Sequence, residues 1–329
     1  MVTTLALADL MKVMPLVDAW ACSDAECLLL VSHPADPALD ERLSALVLVN
    51  RQTSEGALLG EFPGASELVL WTRFTGPQAN GLHALVASPG GHLWELMPGG
   101  RVQAIRDAFG SDGPLTYGFL NCATRQSDQV YIGGMSNQLY RLPEGGLRVE
   151  RADAQVLDRD MADEDSAIYG MADMDGQRLL CVGGGGKIFW MDVHGVPHGI
   201  DSGTNVMINA VAALDAQTFV ACGAGGLLLQ GDLSGWCQVE DSDSTGTYFS
   251  AVKTQGQRLL WIGGQRLHAS MAGDTWFELK RVPDAPGVSR FARGAGSGTW
   301  ALGPSSIGWT GDGERWAWLP TASVRIAAG

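Results

Sequence analysis

The sequence predicts an all-β chain, a seven-bladed β-propeller of four-stranded antiparallel blades. Segments beginning at Gln177, Gln217 and Gln257 recur at forty-residue intervals and read QRLLCVGGGGKIFWMD, QTFVACGAGGLLLQGD and QRLLWIGGQRLHASMAGD. Each copy holds short apolar stretches rich in Val, Ile, Leu and aromatics, bounded by glycine and polar turns, which is the pattern of strands. Helical periodicity is nearly absent outside residues 4–14. Four strands in about 40 residues is the period of a propeller blade. One such blade cannot bury both of its faces, whereas blades packed in a ring bury each face against a neighbour.

The copies place the blades at 16–62, 66–108, 115–153, 166–202, 204–243, 246–283 and 287–320 of a single domain spanning 1–329. The first copy is CLLLVSH followed by LSALVLVN, with an insertion from Pro34 to Arg42. The second, LHALVASPGGHLWELMPGG, has Ala87 where the later copies have glycine. The third, QVYIGGMSNQLYRLPEGG, places Gly133 there, and Gly183, Gly223, Gly263 and Gly303 follow in the same phase. Glycine at the end of a second strand permits a tight turn and a close backbone approach. Small residues such as Gly118, Gly170, Ala210 and Ala251 suit first strands that crowd around an axis. Fourth strands are read at Trp236–Glu240 and Trp276–Lys280. Segments 1–14 and 322–329 are left over, and one of them is expected to supply a strand that closes the ring and removes a sheet edge.

Composition excludes several classes. With 36 acidic and 22 basic residues the net charge is −14, the wrong sign for a nucleic-acid binder. Apolar residues make up 46% and charged residues 18%, which argues against disorder. No apolar run is long enough to span a membrane. Asp9 and Lys12 interrupt the first apolar stretch, so no secretory signal is read, and a cytoplasmic monomer is expected. The six cysteines lack the paired spacing of a zinc site. Cys181 and Cys222 fall at equivalent places in apolar strands and read as buried thiols. Cys22 and Cys27 flank a hairpin turn, and their pairing stays open.

Candidate chemistry is weighed residue by residue. Gly183–Lys187 reads GGGGK, but Cys181 stands where a phosphate loop needs its first glycine and Ile188 follows the lysine, so a strand–strand turn is expected. His194 and His198 are four apart, yet Gly195 and Pro197 forbid a helix that would align them. Ser250-Ala-Val-Lys253 matches S-x-x-K but lies in a strand rather than at a helix start. The run holding Asp158, Asp160, Asp163, Glu164 and Asp165 lacks the glycine of a calcium loop. It reads as an acidic inter-blade loop able to attract a basic partner, with Asp241 and Asp243 adding to it if they share its rim. Arg73, Arg125, Lys253, Arg290 and Arg293 fall in or near first strands and are candidates to line an axial channel, where guanidinium forks suit an anionic ligand. Eight of the eleven tryptophans fall in repeat strands or turns, as inter-blade core or as rim hot spots.

One turn points to a family. Thr310-Gly311-Asp312-Gly313-Glu314-Arg315-Trp316 is a shortened Ser/Thr-x-Asp-x-Gly-x-Thr-Trp box, Ser270 to Trp276 is a poorer copy, and Ser234-Gly235-Trp236 keeps still less. The stretch 115–320 therefore resembles the BNR/Asp-box propellers of the photosystem-assembly-factor class. The resemblance implies the propeller fold. The Arg-Ile-Pro signature of the sialidases in that group is missing. The function expected is non-catalytic protein binding, with no cofactor, metal or catalytic residue. Its concrete version is a bacterial immunity protein that neutralises a cognate toxin or effector of a polymorphic or type VI system, the partner being a basic toxin domain. The alternatives are an assembly-factor-type scaffold and a sialidase-like, glycan-processing enzyme.

Overall fold

Backbone pairing sorts the strands into six four-stranded sheets and one of seven strands. The computed structural model describes residues 4–12, 16–32, 43–63, 69–74, 82–97, 101–110, 113–127, 129–143, 148–153, 166–239, 249–255, 259–271, 280–294 and 297–327. Blade 1 comprises Leu16–Ala21, Glu26–Ser32, Leu43–Asn50 and Glu55–Pro63. Blade 2 comprises Val69–Phe74, Leu82–Ala87, Leu93–Met97 and Arg101–Ile105. Blade 3 follows as Leu120–Gln126, Gln129–Gly134, Leu139–Leu142 and Glu150–Arg151, and blade 4 as Ile168–Asp173, Leu179–Gly183, Ile188–Met191 and Pro197–Ile200. Blade 5 is Ile208–Ala213, Phe219–Gly223, Leu228–Gly231 and Trp236–Gln238; blade 6 is Phe249–Gln255, Leu259–Gly264, His268–Met271 and Lys280–Arg281. Blade 7 is Arg290–Phe291, Thr299–Leu302, Ser306–Thr310 and Ala317–Pro320. The insertion at Pro34–Arg42 and residues 272–276 of the poorer box lie outside the described residues.

The chain divides into two compact units. Residues 1–108 with 290–329 hold blades 1, 2 and 7, and residues 109–289 hold blades 3 to 6. In the first unit, blade 7 has four strands of its own, and both end segments join blade 1 instead. Arg325–Ala327 runs parallel to Glu55–Ala57 on the outer strand, and Thr4–Ala6 pairs antiparallel with Arg325–Ala327. The expectation was one closing strand; two are found, and they cover the blade 1 edge rather than completing blade 7. Leu7, in the short helix Leu7–Met11, is fully buried among Val47, Trp300 and Ile326. Blade 7 is also tied to the first turn of blade 1. Asp24 accepts hydrogen bonds from Ser297 Oγ (2.8 Å) and the Gly298 amide (2.9 Å), and Trp300 Nε1 donates to the Ser23 carbonyl (3.1 Å).

In the second unit the second strands of blades 4 and 5, Leu179–Gly183 and Phe219–Gly223, are buried at every position. Alternation disappears because both faces of each strand pack on neighbouring blades. Phe219 lies in the layer between blades 4 and 5, while Val220 and Cys222 lie in the layer between blades 5 and 6. Cys181 lies in the layer toward blade 3. Cys181 and Cys222 are thus not equivalent. Cys181 pairs with Met171 and Cys222 with Ala210, a one-residue offset that turns the two thiols to opposite faces. The strand ladders also shift two predicted glycines. Gly134 and Gly264, not Gly133 and Gly263, stand level with Gly183 and Gly223. Cys122, not Gly118, takes the place of Gly170, Ala210 and Ala251.

All six cysteines are free thiols, with Cys22 part-buried, Cys27 buried and Cys237 exposed. Burial, with Glu26 nearby, pushes the Cys22 thiol up to about 12. Among the described residues no helix is long and apolar enough to cross a membrane.

Candidate functional site

The four blades of the second unit present two rims, and the chain treats them differently. One rim carries the turns between first and second strands and between third and fourth strands. There, Asp175 Oδ1 accepts from the Gln177 and Arg178 amides (3.0 and 2.8 Å), and Asp215 Oδ1 from Gln217 and Thr218 (2.8 and 2.7 Å). Asp192 Oδ1 accepts from His194 and Val196, and Asp232 Oδ1 from Ser234 and Gly235. An aspartate two residues ahead of the amides it binds closes a turn that would otherwise leave those donors exposed. The donors also favour the ionised carboxyl. The Val196 amide foremost holds Asp192 below the usual carboxylate range, the Gln217 amide does so for Asp215, and the Ser234 hydroxyl for Asp232. In blade 7 of the first unit, Asp312 Oδ1 accepts from the Glu314 and Arg315 amides, and Thr310 Oγ1 accepts from Gly313 (3.0 Å). Here too the Arg315 and Glu314 amides lower the carboxyl.

The other rim carries the starts of the first strands, the turns between second and third strands, and the connections between blades. Each first strand of blades 3 to 6 has a bulge near its start, leaving Asn121, Tyr169, Asn209 and Ser250 as the extra residues. A bulge re-aims one side chain. Three of these reach the next element: Asn121 Nδ2 donates to the Ile168 carbonyl (3.3 Å), Asn209 Nδ2 to Phe249 (2.7 Å) and Ser250 Oγ to Ser289 (3.3 Å). The second-to-third turns share one backbone. The amides of Met135, Gly184 and Ala224 donate to the carbonyls of Phe119, Ala167 and Met207 (2.8, 3.0 and 3.1 Å). The GGGGK run is this turn in blade 4. A Cβ on Gly183 would stand 1.8 Å from the Ala167 carbonyl oxygen, and one on Gly186 would stand 1.9 Å from that of Thr204.

Blade 3 departs from its neighbours at this corner. The central pair of the turn has positive φ in all three blades. It is Gly185 and Gly186 in blade 4, Gly225 and Gly226 in blade 5, but Ser136 (φ 55) and Asn137 (φ 54) in blade 3. Left-handed backbone costs a non-glycine residue about 1 kcal/mol or more. Both side chains are engaged: Ser136 Oγ donates to the Tyr117 carbonyl (2.9 Å), and Lys187 Nζ donates to Asn137 Oδ1 (3.1 Å). Gln138 Nε2 donates to the Gly118 carbonyl (3.0 Å) and Tyr140 Oη to Gln138 Oε1 (3.0 Å). Asp153, 1% exposed, takes a two-pronged bond from Arg151 (3.0 and 2.7 Å) and a third from the Leu139 amide (3.1 Å). The Arg151 guanidinium lies 4.6 Å from the centre of the Tyr117 ring. On top of this network stands Phe119, 56% exposed, where blade 4 has the buried Ala167.

The acidic candidates Asp158, Asp160, Asp163, Glu164, Asp165, Asp241 and Asp243 lie outside the described residues. Of the channel candidates, Arg125 donates from Nε to the Ser127 carbonyl (2.8 Å), back toward its own turn. Lys253 is half-buried on the first strand of blade 6, and Arg290 is exposed on that of blade 7. The backbone of Arg73 lies in the first strand of blade 2, and that of Arg293 pairs with Trp20. His194 donates its amide to Asp192, while the His198 ring stacks on Trp190 at 4.1 Å and faces Asp192 Oδ2 at 3.4 Å. Among the described residues no group of three or more His, Cys, Asp or Glu stands together as a metal site. Phe119, Asn137 and Arg151 were not singled out by sequence reasoning. The signal was present: MSN stands in the third copy where the fourth has GGG.

No protein-family model and no curated protein sequence matches the chain. Among solved structures it is similar to the WD40 β-propeller domain of Doa1, with a TM-score of 0.61 over 88% of this chain and 90% of that one. The chain is a seven-bladed β-propeller. Identity to that domain is 11%, so the likeness is one of fold alone. Blade geometry tolerates wide substitution if small, apolar and turn residues keep their places.

Proposed function

We propose that this propeller is a non-catalytic protein-binding scaffold of the cytoplasm. The observation that carries the reading is Phe119, a large aromatic held in solvent on a backbone fixed from two sides. Aromatic residues, phenylalanine among them, are enriched at the cores of protein interfaces. The carboxylates support the same reading. Among the described residues every carboxyl with a shifted proton affinity, Asp24, Asp175, Asp192, Asp215, Asp232 and Asp312, is lowered by hydrogen-bond donors. A glycosidase-like general acid requires the opposite shift. The turn at Thr310–Arg315, with its hydroxyl and carboxylate both capping amides, supports kinship with the Asp-box propellers and an assembly-type scaffold role.

The finer reading is immunity: the propeller neutralises a basic toxin domain, with its carboxylates, among them Asp160, Asp163 and Asp165, steering the encounter. The charge of −14 supports it. The test is to cross-link the purified chain in lysate of its source cells, isolate the retained protein and measure the complex by light scattering. A one-to-one complex that also relieves toxicity of the partner on co-expression establishes both readings. A complex with a harmless partner keeps the scaffold and removes immunity, and no complex removes both.

A further inference from the structure

We propose that the groove between blades 5 and 6, on the rim of the aspartate-capped turns, binds a primary ammonium group, carried by a small aliphatic amine or by a lysine of a partner protein. The amine arm goes beyond the scaffold reading, and the lysine arm rests on it.

Two walls meet there. On blade 5, Gln230 stands opposite Val220 in the strand ladder, and Cys237 opposite Gln230. Val220 lies in the layer packed on blade 6. Directly opposed residues of antiparallel strands share a face, so Gln230 and Cys237 also turn toward blade 6. On blade 6, Ser270 stands opposite Leu260, which lies in the same layer, so Ser270 turns toward blade 5. Gln230 and Ser270 each stand one residue before the end of a third strand, Leu228–Gly231 and His268–Met271, and therefore at the same rim. A concavity of about 500 Å³ opens on the blade 5 wall, lined among others by Thr218, Gln230, Asp232, Ser234 and Cys237. That is the size of a small-molecule site. Ser270 is 2% exposed, and its Oγ has no hydrogen-bond partner among the described residues. A buried hydroxyl without a partner costs about 1–3 kcal/mol, and a ligand that reaches it removes that penalty.

Charge and geometry select the ligand. The two turns of blade 5 on this rim, Asp215–Thr218 and Asp232–Trp236, hold two carboxylates and no lysine, arginine or histidine. Turn donors hold both carboxyls below the usual carboxylate range, the Gln217 amide foremost for Asp215 and the Ser234 hydroxyl for Asp232. On blade 6, Arg281 stands opposite His268, two residues farther from this rim than Ser270. An anion is therefore repelled at the concavity and a cation favoured. Asp232 Oδ1 already accepts the Ser234 amide (2.7 Å), the Ser234 hydroxyl (2.5 Å) and the Gly235 amide (3.2 Å). A guanidinium fork needs both oxygens of one carboxylate, whereas an ammonium is a point charge that needs one. Oδ2 offers that one. The other ammonium hydrogens suit single acceptors such as the Gln230 carboxamide and the Ser270 hydroxyl.

The test titrates the purified full chain with butylammonium and with lysine capped at both ends, against butanol, capped norleucine and capped arginine. The readout is the rate at which iodoacetamide alkylates Cys237, followed by peptide mass spectrometry. Cys237 is exposed and lines the concavity, so an occupant shields it. Both amines slow alkylation at millimolar concentration, and the other three compounds do not. Asp232→Asn, which keeps the turn acceptor and removes the charge, weakens protection about tenfold. Ser270→Ala weakens it about threefold without lowering the unfolding midpoint. Asp192→Asn, in the same turn of blade 4, leaves it unchanged. A capped lysine that binds about tenfold more tightly than butylammonium assigns the site to a partner's lysine, and equal binding assigns it to a free amine. Equal protection by butanol or capped arginine, protection untouched by Asp232→Asn, or no protection by either amine overturns the inference. Amines that bind while lysate cross-linking yields no complex remove the scaffold reading and leave this site. A complex formed by a chain that binds neither amine removes this site and leaves the scaffold.

Discussion

In blade 4 the turn after the second strand is Gly184–Gly186, and Ala167 behind it is buried. In blade 3 the same backbone carries Met135–Asn137, and Phe119 stands in water. The hydrogen bonds that define the turn are the same, Gly134 to Gln138 and Gly183 to Lys187, each at 3.0 Å. What differs is the support. Blade 4 relies on the absence of side chains, and blade 3 on side chains that bond to one another. A repeat fold can thus hold its scaffold constant while one copy acquires a surface of its own.

Four measurements break or sharpen that comparison. The largest effect is expected at Asp153. Asp153→Ala leaves Arg151 part-buried without its carboxylate and the Leu139 amide without its acceptor, at about 3–5 kcal/mol. Arg151→Ala together with Asp153→Ala should lose less than the sum of the two single losses in urea unfolding. Additive losses would show that the pair does not act as a unit.

Next is Gly183→Ala in blade 4. The new methyl meets the Ala167 carbonyl at 1.8 Å, so the strand must shift, at about 3 kcal/mol. Gly134→Ala, at 2.4 Å from the Phe119 carbonyl, should lose less. The reverse order would show that the two corners are not the same structure.

Acid should separate the blades. Asp192, Asp215 and Asp232 have folded pKa values below the ordinary 3.8. Their contribution is full above the unfolded value and is lost as the pH falls through the depressed folded values. Below about pH 4, amide exchange in blades 4 and 5 should therefore quicken before that in blade 3. Simultaneous loss of protection would mean that the turns do not set local stability.

The smallest effect is expected for Asn137→Gly. Relief of left-handed strain offsets the lost bond from Lys187, so stability should move by less than about 1 kcal/mol. A change larger than that would show that Asn137 is there for the fold.

The propeller was legible because its signals are local and repeated: spacing, glycine-bounded strands and turn aspartates recur in sequence. Register was less legible. Gly133 and Gly134 are adjacent, and only the ladder to Leu120 and Cys122 decides which of them is level with Gly183. The bulges were invisible because no residue type demands one; Asn, Tyr, Asn and Ser occupy the same place. Phe119 was missed for a physical reason. A phenylalanine beside a strand start reads as core, and its exposure follows from Gly118 and Met135 jointly turning it outward.

The edge of blade 1 sets an order on synthesis. Among the described residues Glu55–Ala57 pairs outward only with Arg325–Ala327, and Thr4–Ala6 pairs only with that same strand. The ribosome delivers the two outer pieces early and the piece between them last. At 5–20 residues per second the wait is roughly 15–55 s. For that time an open strand edge and an unmated strand Thr4–Ala6 coexist on one nascent chain. Arg325–Ala327 acts as the latch that retires both, and a chain stalled short of it would expose a sticky edge to its neighbours.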